Sequence, residues 1–139
     1  MDIGNYSYED IEVGKIFQFK KTLSNEDVLE FSKITGDKNP LHIDEEYARM
    51  TPFKGKICHG MLVAGLFSTL FGMICPGKRN LYLSQTINFR KPVRIGTELI
   101  IKGKVEQKID SLKVICVKTE IIANNDIMID GDAKIRLMD

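Results

Sequence analysis

Between Ile57 and Gly77 the chain runs for 21 residues without a Lys, Arg, Asp or Glu. A stretch this long has to leave water, either in a bilayer or inside a protein core. Its interior carries His59, Ser68 and Thr69 together with Gly60, Gly65 and Gly72, and Pro76-Gly77 stops it. Those residues, between two ordinary soluble flanks, argue against a membrane span. They predict a helix from His59 to Cys75, buried on nearly all sides. With 139 residues, 43% of them apolar, the chain has room for one domain, 1–139, and for a core that needs neither disulfides nor metal.

What covers that helix follows from its neighbours. Lys15 to Leu23 is aromatic and partly alternating, which predicts a strand. Ser24 with Asp27 has the form of a capping box, Val28, Phe31 and Ile34 follow at near-helical spacing, and Gly36 ends that helix. A loop from Asp37 to Ile43 leads to a short helical turn around Asp44 to Met50. After Asn80 the pattern is β: Asn80–Phe89, Thr97–Ile109, Leu112–Ala123 and Ile127–Leu137 are separated by short turn-like breaks. Four consecutive strands predict an antiparallel meander, and only the apolar helix is long enough to cover one face of it. The expected fold class is α+β, one curved antiparallel sheet wrapped around one long helix, the hot-dog arrangement.

Charge restricts the partners. The formal total is +1, but Tyr47 to Thr97 contains eight basic residues and no acid, so a +8 centre faces −7 elsewhere. So balanced a total gives no support to a polyanion-coating protein, and no nucleic-acid or membrane partner is expected. Cys58, Cys75 and Cys116 are widely spaced, with no CxxC and no cluster with the two histidines, against both a disulfide scaffold and structural zinc. The acidic, polar start does not resemble a signal peptide, and the chain reads as cytoplasmic.

The densest polar cluster is TGDKNPLHID, residues 35 to 44. Asp37 and His42 lie five residues apart, with Pro40 biasing Asn39 out of helical geometry, so they can turn toward each other around one water as an acid/base pair. The same spacing also suits a turn-closing Asp and a satisfied histidine. Gly60 opens the apolar helix, where an accessible N–H could hold an oxygen that becomes negative. His59 reads as structural or capping. Ser68 falls close to the face of Gly60, with Phe71 one turn beyond. Asp37, His42, His59 and Asp44 lack the paired spacing of a zinc site, so no metal is expected.

These residues resemble a known family. FSKITGDKNPLHIDEEYA is similar to the signature of MaoC-like (R)-specific enoyl-CoA hydratases, and FKGKICHGMLVAGLFS and PGKRNLYLSQTINFRKPVRIG continue the likeness from Glu12 to about Val105. The resemblance implies a hot-dog fold and reversible syn addition of water to a trans-2-enoyl thioester. It implies Asp37 and His42 as the catalytic pair, the Gly60 N–H as oxyanion donor, Asn39 as a loop-shaping residue and Ser68 as a group near the pair. No cofactor is implied beyond the coenzyme A of the substrate, although an acyl carrier protein thioester fits equally well. Lys54, Lys56, Lys78, Arg79, Arg90, Lys91 and Arg94 are then candidates for the coenzyme A phosphates, and a bulky Phe71 would shorten the acyl tunnel toward short chains. The rivals are a hot-dog thioesterase and a silent acyl-CoA-binding module. A single sheet leaves an exposed edge, from which a homodimer or a higher assembly is expected.

Overall fold

Ile16–Thr22 forms β1, and the chain turns at Ser24 into α1 (Asn25–Thr35), in a computed structural model that describes residues 1–139. The capping box forms in full. Ser24 Oγ accepts from the Asp27 N–H at 3.1 Å while the Asp27 carboxylate accepts from the Ser24 N–H at 2.8 Å. Gly36, at φ 81°, closes the helix in the left-handed conformation that suits glycine. Two short helices follow, α2 (Pro40–Ile43) and α3 (Glu45–Arg49). The first occupies part of the expected loop, because Asn39 Oδ1 caps the Leu41 N–H at 3.0 Å and Pro40 sits where a helix needs no donor.

The charge-free segment is helical from Gly60 to Ile74, but in three pieces: α4 (Gly60–Ala64), α5 (Leu66–Thr69) and a wider π turn at Leu70–Ile74. It is not buried all round. Val63, Leu66, Phe67, Leu70 and Phe71 face the core, whereas Gly60, Met61, Gly65 and Ser68 are exposed along the other side. That stripe is made of small, polar or flexible residues, which explains why hydropathy alone did not separate it from the buried face.

The remaining chain supplies β2 (Asn80–Gln85), β3 (Asn88–Phe89), β4 (Glu98–Ile109), β5 (Val114–Ala123) and β6 (Asp126–Leu137). All pairings are antiparallel, in the order β1-β4-β5-β6-β2 with β3 also on β6. Only β4, β5 and β6 make the expected meander. The strand after the helix pairs with the last strand, because a helical run of this length, roughly 20 Å at its rise per residue, carries the chain across the sheet before β2 begins. The β2–β3 break depends on Gly131, where a Cβ would stand 1.8 Å from the Thr86 carbonyl oxygen.

Alternation puts Leu99, Ile101 and Val105 of β4, Ile115, Val117 and Ile121 of β5, and Ile129, Ala133 and Ile135 of β6 on the inner face. The helical run fills their concavity, with Phe71 edge-on to Phe17 at 6.0 Å and to Tyr82 at 5.1 Å. Phe67 is 1% exposed. Its truncation to Ala should cost about 3–5 kcal/mol. Urea unfolding of the Phe67→Ala variant measures this, and a loss below about 1 kcal/mol would contradict the packing described.

Candidate active site

Asp37 and His42 are brought together by the ends of α1 and α2. Asp37 follows the Gly36 cap, its N–H donating to Thr35 Oγ1 and its Oδ1 accepting from the Asn39 N–H, both at 3.2 Å. These local bonds turn the segment sharply, so that α2 points His42 back toward the start of α4. His42 Nδ1 lies 2.7 Å from the Ile57 carbonyl oxygen. A carbonyl only accepts, so Nδ1 carries the hydrogen, and in the neutral ring Nε2 presents a lone pair. One carboxylate oxygen of Asp37 and one ring nitrogen each of His42 and His59 lie within 4.8 Å of one another. That separation is within reach of one bridging water. Asp37 is exposed and His42 half-buried.

His59 precedes α4 but makes no capping hydrogen bond. Its side chain turns instead toward the Asp37–His42 segment. Nε2 is 3.1 Å from both Ser32 Oγ and the Asp37 carbonyl oxygen, and the ring stacks on His42 with centroids 3.9 Å apart and planes 27° from parallel. The Asp37 carbonyl fixes the hydrogen on Nε2, and Nδ1 is buried without a partner. Burial holds His59 below the usual imidazole range, with the neighbouring His42 pushing the same way. Asp37, His42 and His59 are also the one side-chain group spaced to hold a metal. However, ligands of a tetrahedral ion converge on it, whereas two face-to-face rings direct their in-plane lone pairs side by side.

A cavity of about 280 Å³ opens beside the pair, and both His42 and Gly60 line it. Phe53, Ile57, Val63, Phe89, Val93 and Ile129 make most of its wall apolar, and Arg90 and Lys91 stand on its rim side. The Gly60 N–H, at the first position of α4, donates to no acceptor in the chain. A Cβ at Gly60 would come within 2.8 Å of the Phe89 ring. The bare backbone is what allows that ring to lie over the helix start and leave the N–H open to the cavity.

The other candidates separate. Asn39 caps α2. Ser68 is exposed and its hydroxyl makes no hydrogen bond, and Phe71 is fully buried against Phe17 and Tyr82. Neither touches the cavity, so Phe71 does not narrow an acyl channel here. The break at Gly65 and the widened π turn carry it off the Gly60 face into the core. The basic block also divides. Arg90, held to Asp130 at 3.1 Å, and Lys91, held to Asp126 at 3.1 Å, reach the cavity. Arg94 donates to the Phe53 carbonyl and Lys56 to Asn25, near the same end, and Lys54 is exposed close by. Lys78 and Arg79 lie at the far end of the helix, where the Lys78 N–H and the Arg79 side chain bond Gly4 and Asn5. Sequence reasoning missed the Ile57 carbonyl, Ser32 and Phe89. Ser32 meets His59 across 27 residues of chain, a contact no spacing rule announces.

A single antiparallel sheet around a central helix, with an acid/base pair and an open N–H beside an apolar cavity, defines a hot-dog protein with an acyl-thioester type of site. A family model described as MaoC like domain matches residues 10–126. The chain belongs to this family. It is similar to the 3-hydroxybutyryl-CoA dehydratase of Methylorubrum extorquens, at 39% identity over 94% of this chain and 83% of the relative. It is also 34% identical to the (R)-specific enoyl-CoA hydratase of Rhodospirillum rubrum, over 96% and 93% of the two chains. The unliganded R-hydratase PhaJ1 of Pseudomonas aeruginosa superposes with a TM-score of 0.93 at 32% identity, covering 97% of this chain and 87% of that one.

Cys58 also borders the cavity, but burial pushes its thiol up to about 11, as it does for Cys75. Both are almost wholly protonated at pH 8, which removes them as nucleophiles. Ellman's reagent at pH 8 should therefore titrate Cys116 alone in the native protein, with the other two thiols appearing after denaturation. Rapid reaction of all three in the native state would contradict this.

Proposed function

We propose that the protein is an (R)-specific enoyl-CoA hydratase, also working in reverse as a 3-hydroxyacyl-CoA dehydratase. The observation that carries the reading is the Asp37–His42 pair, spaced for one water, next to an unpaired Gly60 N–H in an apolar cavity. The thioester carbonyl accepts from Gly60 and its α,β double bond lies under the pair. Asp37 takes a proton from the water as its oxygen attacks C3. His42, entering as imidazolium, orients that water and gives its Nε2 proton to C2, while its Nδ1–H stays on the Ile57 carbonyl. Charge growing on the thioester oxygen is met by the helix start. The proton left on Asp37 then passes to His42 through the next water, and the site is reset. Both groups act from one side of the double bond, which makes the addition syn.

The rest of the molecule supports this substrate. Arg90 and Lys91 at the cavity, with Lys54, Lys56 and Arg94 nearby, are placed to meet coenzyme A phosphates, while Lys78 and Arg79 are remote within one chain. A cavity of about 280 Å³ suits a short acyl group. The reaction requires no cofactor of its own. Two features support a homodimer: β2 is an open edge carrying exposed Leu81 and Leu83, and the helix exposes its Met61–Gly65–Ser68 stripe. A second copy would cover both and extend the tunnel. No helix is long and apolar enough to cross a membrane, and three free cysteines suit a reducing compartment such as the cytoplasm.

Mixing with crotonyl-CoA tests the reading. Loss of the enoyl absorbance without release of free thiol is expected. Asp37→Asn and His42→Ala should each lower turnover by on the order of 10² to 10⁴ while remaining folded. Thiol release would assign a thioesterase, and unchanged absorbance a binding module.

A further inference from the structure

The mechanism above uses Asp37 and His42 but leaves a buried histidine in contact with both. We infer that His59, held by Ser32, is the positioning residue of the site. Its Nε2–H fastens the backbone at Asp37 while its ring face carries the imidazole of His42. The inference rests on the proposed hydratase reading and goes beyond it, assigning a role to two residues outside the reacting pair.

The geometry leaves little freedom. His59 is 3% exposed and Ser32 is 3% exposed, so their contact is shielded from competing water. Ser32 is fixed on α1 and His59 at the entry to α4, and these are the two elements that the Asp37–His42 segment bridges. The bond from His59 Nε2 to the Asp37 carbonyl, 3.1 Å, sets where the carboxylate leaves the chain. The stack on His42 at 3.9 Å sets the tilt of the imidazole, while the Ile57 carbonyl sets its rotation about the ring axis. Phe31 also packs against His59, centroids 4.8 Å apart with the planes tilted by 53°, which adds to the contacts that hold the ring. His42 is therefore held at an edge and on a face, and Asp37 through its backbone.

The same contacts dictate that His59 works as a neutral ring. Its one hydrogen is committed to Nε2, and a second on Nδ1 would be a buried donor with no acceptor. A neutral ring can lie against the His42 imidazolium, where a charged one would repel it. A stably folded protein in which the pair is misplaced by a fraction of an ångström should bind substrate normally and turn it over slowly. That pattern separates positioning from binding and from folding.

Three variants distinguish the parts. His59→Phe keeps the stacked ring and loses the donor, His59→Gln keeps a donor and loses the stack, and Ser32→Ala removes only the hydroxyl behind Nε2. With crotonyl-CoA as substrate, kcat should fall by on the order of 10- to 100-fold in His59→Phe and less in His59→Gln and Ser32→Ala, with KM within about twofold of wild type. Thermal unfolding and circular dichroism establish the folded fraction to which each kcat is normalised. Wild-type kcat in folded His59→Phe and Ser32→Ala, with the parent enzyme active, overturns the inference and leaves the functional reading standing. Losses that vanish on normalisation, or that appear only in KM, also overturn it and make His59 a folding or binding residue. An inactive parent protein sinks the functional reading and this inference with it.

Discussion

A helix enclosed by a single sheet satisfies its backbone except at its two ends, and at the first turn the leading N–H groups have no carbonyl behind them. In this protein the enclosed helix carries no charge of its own, so nothing in its side chains neutralises that end. The chain leaves it open, bare of a side chain at Gly60 and bordered by an apolar cavity. The rest of the site is arranged around this one exposed donor. α1 and α2 bring a carboxylate and an imidazole to it, and the Phe89 ring can close over it because Gly60 has no Cβ.

The second dependence is on two backbone carbonyls. Ile57 and Asp37 each accept from a histidine, and each thereby decides which nitrogen of that ring is protonated. Tautomer choice in this site is thus written into the main chain rather than into neighbouring acids. One ring is half-buried and lines the cavity; the other is fully buried, and its burial and unpartnered Nδ1 keep it neutral. Two stacked imidazoles would repel if both were charged, and a neutral His59 avoids that repulsion.

Much of this was legible in the sequence, for identifiable reasons. The capping box at Ser24 and Asp27, the Gly36 stop and the β pattern after Asn80 are local signals, and local signals survive folding. The Asp37–His42 loop was visible because Pro40 and Asn39 restrict a short segment. What depended on distant contacts was not legible. The far-edge position of β2 follows from where the helix ends in space, and the contacts of His59 join α1 to α4 across 27 residues. Phe71 was misread because helical spacing was carried through Gly65 and a π turn, where the periodicity no longer holds. The +8 centre was a correct sum with an incomplete meaning, since the fold sends Lys78 and Arg79 to the opposite end from Arg90 and Lys91.

The central claim is that Asp37 and His42 deliver one water across a double bond from a single side. Hydration of crotonyl-CoA in D2O, with proton NMR of the product, examines it directly. The account predicts (R)-3-hydroxybutyryl-CoA with one deuterium at C2, added syn to the new hydroxyl. Anti addition, the S product, or deuterium scrambled over both C2 positions at early times would contradict it.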